Sequence, residues 1–61
     1  MKYYKQKDGI WQKTNIPKML SDGLKDWDIF EAIKNVIRFN NSVWLTNTKT
    51  KEKYEIRRDE R

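Results

Sequence analysis

Residues 42–58, SVWLTNTKTKEKYEIRR, alternate apolar and polar side chains on either side of a middle rich in threonine and lysine. Only one pairing of the two halves keeps charge out of a core. Setting Leu45 opposite Tyr54 and Val43 opposite Ile56 gathers four apolar side chains on one face, with a loop centred on Lys49-Thr50. A slip by one residue would exchange the faces and bury charge, so the pattern specifies its own register. The same register sets Trp44 opposite Glu55 and Thr46 opposite Lys53, on the other face. One side of this hairpin therefore demands a covering layer. The other side holds the largest apolar side chain of the segment among Thr46, Lys53, Glu55 and Arg57.

Residues 27–39, WDIFEAIKNVIRF, supply the covering layer. At helical spacing Ile29, Phe30, Ile33, Val36 and Ile37 fall on one side with Ala32 at its edge, and Glu31, Lys34, Asn35 and Arg38 fall opposite. Asp28 and Glu31 have the spacing of a capping box, and with Asp28 as N-cap, Trp27 would staple against Ala32. Acidic residues at the start and Lys34 and Arg38 toward the end suit the helix dipole. The sequence Asn40-Asn41-Ser42 ends the helix.

Upstream, residues 2–14 flank Asp8-Gly9 with aromatic and apolar side chains, a hairpin signal. A two-residue loop sets Gln6 opposite Trp11, whereas a three-residue loop sets Lys5 there, and the faces of Tyr3 and Tyr4 exchange between the two. Residues 15–24 hold the single proline, Pro17, which can open a short helical turn through Leu20 that Gly23 ends. The expected order is ββαββ: an α+β domain spanning residues 1–61, with a four-stranded antiparallel sheet, one amphipathic helix on one face, and a frayed charged tail at 58–61. The second sheet face has no partner in this scheme.

With 61 residues and neither cysteine nor histidine, disulfides, Cys/His zinc sites, thiol nucleophiles and an imidazole base are all excluded. So short a chain is marginally stable and needs an aromatic core or self-association, which leaves a homodimer open. No glycine-rich phosphate loop is present, and Asp26 and Asp28 diverge by about 200° on a helix. An enzyme is not expected, and no cofactor or metal is called for. The first residues contain no apolar run of signal-peptide length and no later segment approaches a membrane span, so a cytoplasmic location is expected.

The net charge of +5 is unevenly spread. Residues 1–15 carry four lysines against Asp8, residues 16–41 balance, and residues 42–61 carry six basic against four acidic groups. Aromatics interleaved with cations on a sheet suit single-stranded nucleic acid, each stacked base contributing roughly 1–3 kcal/mol. The residues expected to contact nucleic acid are Trp44, Lys53 and Arg57, with Lys49 and Lys51 at the hairpin tip and Trp11 and Lys13 beside them. The tip also reads as a β-ribbon or wing for a DNA groove, or as a solvated turn. A helix-turn-helix over residues 17–39 is disfavoured, because Asp28 and Glu31 on its exposed face make a poor reading head. Trp44 also suits a protein interface, with an acidic protein surface or a second copy, since Trp and Arg are favoured there, or cross-strand packing alone, over the Lys53 and Arg57 stems or beneath the first hairpin or the tail. The Lys-, Asn- and Ile-rich composition resembles that of short proteins from AT-rich bacterial genomes and their phages. That resemblance implies a protein-interaction module, such as a phage-type inhibitor of a host enzyme or defence complex.

Overall fold

A computed structural model of the chain describes residues 1–58. Its elements run β1 (Lys2–Lys7), β2 (Ile10–Thr14), α1 (Ile16–Ser21), α2 (Asp26–Phe39), β3 (Val43–Thr46) and β4 (Lys53–Arg57). The strands form one antiparallel sheet in the order β2-β1-β4-β3, and the chain is α+β as its pattern requires. The tail expected to fray lies outside the described residues from position 59 onward.

The first hairpin uses the two-residue loop. Gln6 pairs with Trp11, and Asp8 and Gly9 both take positive φ, 53° and 80°. Two successive left-handed residues make the turn whose twist matches the flanking strands, which is why Asp-Gly sits there. The second hairpin adopts the register its face pattern dictates: Val43–Ile56, Trp44–Glu55, Leu45–Tyr54 and Thr46–Lys53. β1 then pairs with β4, placing the first and last strands at the centre of the sheet.

Pro17 stands in the first turn of α1, and the N-cap Asn15 accepts a hydrogen bond from the Lys18 N–H at 2.9 Å. The short helical turn expected from Pro17 through Leu20 is a six-residue helix, and its Met19 is fully buried. Gly23 follows at φ 108° and turns the chain toward α2.

The start of α2 differs from expectation. Lys25 is the N-cap and makes no side-chain cap bond, while the Asp26 carboxylate accepts from the Trp27 N–H at 2.7 Å. Asp28 therefore lies inside the first turn, the capping box with Glu31 does not form, and Trp27 is exposed instead of stapled. The helix ends at Asn40, whose left-handed φ and ψ of 57° and 35° close it.

Helix α2 packs on β3 and β4. The core comprises Met19, Leu24, Ile29, Ala32, Val36, Tyr54 and Ile56, with Tyr3, Ile16, Ile33, Val43 and Leu45 around it. The buried stripe of α2 is narrower than expected: Phe30 and Ile37 are exposed, and Ala32 is central rather than marginal. A helix lying over two strands needs only a stripe centred on Ile29, Ala32 and Val36. No helix among the described residues is long and apolar enough to cross a membrane.

Candidate functional site

Strand alternation sends Tyr4, Gln6, Trp11, Lys13, Trp44, Lys53, Glu55 and Arg57 to the sheet face opposite α2. No element of the described chain packs across this face. Its centre is nonetheless ordered by a polar and aromatic cluster. Trp11 and Trp44 approach to 5.7 Å between ring centroids with their planes tilted by 55°. Trp44 Nε1 donates to Glu55 Oε2 at 3.0 Å, and Arg57 Nε donates to Glu55 Oε1 at 2.7 Å. The Arg57 guanidinium also lies 4.4 Å from the Tyr4 ring centroid, a cation–π contact.

Glu55 is the hinge of this arrangement. It is 7% exposed despite sitting on the uncovered face. Burial pushes its carboxyl up, but hydrogen bonds from Arg57 and Trp44 and the Arg57 charge outweigh that and hold it below its ordinary value. Trp44 stands among charges because its indole N–H is one of the donors that make this buried carboxylate tolerable. Its ring remains 60% exposed.

Among the described residues, the cations around the tryptophan pair outnumber the acid. Lys2, Lys13, Lys53 and Arg57 share the face with Glu55. At the β2 edge the positive character continues onto the other side, where Lys5, Lys7, Lys13 and Lys18 line an open depression of about 260 Å³ with Asp22. Lys13 borders both surfaces. Lys5 is committed within this depression: its ammonium binds Asp22 at 2.9 Å and Glu52 at 3.3 Å. The hydrogen bond to Asp22 drives its pKa up to about 12 against the opposing effect of burial.

The expected site residues thus divide. Trp44, Lys53, Arg57, Trp11 and Lys13 share one face. Lys51, at φ 67°, lines a depression between the two hairpin tips with Lys7 and Lys53. Lys49 turns toward the start of α2, lining a depression with Lys25, Asp28 and Asn47. The β3–β4 loop folds back on Asn47, whose side-chain oxygen accepts from the N–H groups of Lys49 and Thr50, and this turns Lys49 away from Trp44. Sequence reasoning missed Tyr4, because the two possible registers of the first hairpin assigned it to opposite faces. It also missed the Lys5–Asp22–Tyr54 network, whose members are 17 and 32 residues apart and share no local pattern.

No protein-family model, curated protein or solved structure matches the chain.

Proposed function

We propose that this chain is a small, non-enzymatic binding module that holds single-stranded nucleic acid on the sheet face opposite α2. The observation that carries this reading is the exposed Trp44 ring beside Trp11, on a face that also bears Lys2, Lys13 and Lys53 and whose one carboxylate among the described residues, Glu55, is already engaged by Arg57. Bases stack on aromatic rings whatever their sequence, and lysines around the rings follow the phosphates. The lysines lining the depression at the β2 edge extend the positive surface along which a strand would run. The absence of cysteine suits a reducing cytoplasm.

A second reading is a protein-interaction module meeting an acidic protein surface, in the manner of a phage-type inhibitor. It is favoured by the fixed orientation of Trp44, whose Nε1 is tied to Glu55. A rigid aromatic anchor beside an arginine suits the centre of a protein interface.

Titrating Trp27→Phe protein with single- and double-stranded oligonucleotides at two salt concentrations separates these readings, since only Trp11 and Trp44 then report. Nucleic-acid binding predicts quenching by single strands and a log–log salt slope of about −3 if four phosphates are engaged. Trp44→Ala should lose most of that affinity while folding normally. Unchanged fluorescence at both salt concentrations sinks the nucleic-acid reading and leaves the protein partner.

A further inference from the structure

Helix α2 carries a second apolar stripe that the described chain leaves uncovered. Trp27, Phe30 and Ile37 are 65%, 59% and 68% exposed. At about 100° per residue they fall on one flank, and partly buried Ile33 joins that flank to the core-facing stripe. A depression of about 270 Å³ opens between Trp27 and Phe30, with Asp26 at its rim. Large apolar side chains clustered on one surface mark an interaction site.

The charges bordering this stripe are arranged in order along the helix. Asp26 and Glu31 lie in its first half, and Lys34 and Arg38 in its second. Two such helices side by side and parallel would set like charges together. Set antiparallel, each acidic half meets a basic half, and the helix dipoles oppose favourably.

We propose that this flank joins two copies of the chain, with their α2 helices antiparallel about a two-fold axis near residues 32 and 33. That axis lays the partner's Ile37 against the depression between Trp27 and Phe30. It also brings the partner's Lys34 beside Glu31, and the partner's Arg38 beside the Trp27 ring. Every contact occurs twice, as an isologous interface requires. A 14-residue helix is about 21 Å long, so a contact along one flank lies at or below the lower limit of specific stable interfaces, about 1,200 Å² in total. A contact of that size is of the weak, transient class, so association is sought at micromolar concentrations. The sheet face bearing Trp44 lies on the opposite side of the sheet and stays accessible in such a dimer, so this inference is independent of what that face binds.

Sedimentation equilibrium on the full chain from about 5 to about 500 µM spans the relevant range. The expected result is a monomer–dimer equilibrium that Ile37→Asp weakens at least tenfold without altering the far-ultraviolet circular dichroism, because Ile37 is exposed. Glu31→Lys should weaken association several-fold, and adding Lys34→Glu should restore it; because the two positions also neighbour each other within one helix, both variants must keep the wild-type far-ultraviolet circular dichroism for the exchange to report on the pairing between copies. A monomer at every concentration overturns the proposal. So does a dimer indifferent to Ile37→Asp, as when it forms through another surface. Failure of the charge exchange to restore association overturns the antiparallel arrangement.

Discussion

The indoles of Trp11 and Trp44 touch although they belong to the two outermost strands of the sheet. Three strand spacings put those backbones about 14 Å apart, so both side chains lean inward over β1 and β4. They form a small second cluster on the face that the core does not use. Trp44→Ala removes a tilted aromatic pair, which contributes roughly 0.5–1.5 kcal/mol beyond buried area, and one donor to Glu55. We expect a loss of about 1–2 kcal/mol in urea denaturation, with the fold retained. Trp11→Ala and Trp44→Ala should abolish the same near-ultraviolet dichroism bands, and Trp27→Ala should not. Loss of cooperative unfolding in Trp44→Ala would mean that this cluster is integral to the core.

Asn47 ties the β3–β4 loop to the segment between the helices. It is 4% exposed, its Nδ2 donates to the Asp22 carbonyl at 3.1 Å, and its Oδ1 accepts from Lys49 N–H at 2.9 Å and Thr50 N–H at 3.3 Å. Asn47→Ala removes all three bonds and is expected to cost about 2 kcal/mol. Amide exchange at Lys49 and Thr50 should accelerate well beyond the global effect. Asn47→Asp retains the acceptor but loses the donor and adds a charge near Asp22, so it should be comparably destabilising. Equal stability of Asn47→Ala and wild type would contradict the anchoring role.

The elements most legible in the sequence are those fixed by a single local rule. The β3–β4 register follows from alternation alone, because any slip buries Lys53 or Glu55 where Tyr54 belongs. Helix α2 follows from its period, and Asn40 from its left-handed tolerance. The width of the buried stripe was not legible, since Phe30 and Ile37 obey the same period as Ile29 and Val36 and only the placement of α2 over β3 and β4 decides which are covered. Asp28–Glu31 matches the capping spacing, whereas the turn at Gly23 brings the chain into the helix earlier, with Lys25 as N-cap. The site face was legible around Trp44. Its organisation by buried Glu55 was not, because alternation gives a face and no depth.

Gly9 tests the first hairpin. Its φ of 80° lies in the left-handed region, and a Cβ there would meet nothing within 4 Å. Gly9→Ala therefore adds conformational strain without a clash, and should destabilise by about 1 kcal/mol. Gly9→Asn should cost less, because asparagine tolerates this conformation. If both variants match wild type in thermal denaturation, the two-residue turn does not contribute to stability as its geometry implies.

The Lys5–Asp22–Tyr54 network makes stability depend on pH at both ends. The Lys5 hydrogen bond holds the Asp22 carboxyl below its ordinary value against the upward push of burial, with the Tyr54 hydroxyl at 3.1 Å lowering it further. A depressed carboxyl contributes stability that is present above its unfolded value, near 3.8, and is lost as pH falls through the lower folded value. At the alkaline end, burial and the Asp22 charge raise the Tyr54 phenol above 10, and Lys5 is raised from 10.5 to about 12. Both groups keep their protons longer in the folded state, so stability is fully present below about pH 10 and falls as pH rises toward 12. Urea titrations across pH should give a plateau between these limbs. Asp22→Asn should make the acid limb shallower, leaving the share due to Glu55. Tyr54→Phe should flatten part of the alkaline limb, while lowering the plateau by about 1 kcal/mol through the lost hydrogen bond. Limbs of unchanged steepness in both variants would remove this network from the account of stability.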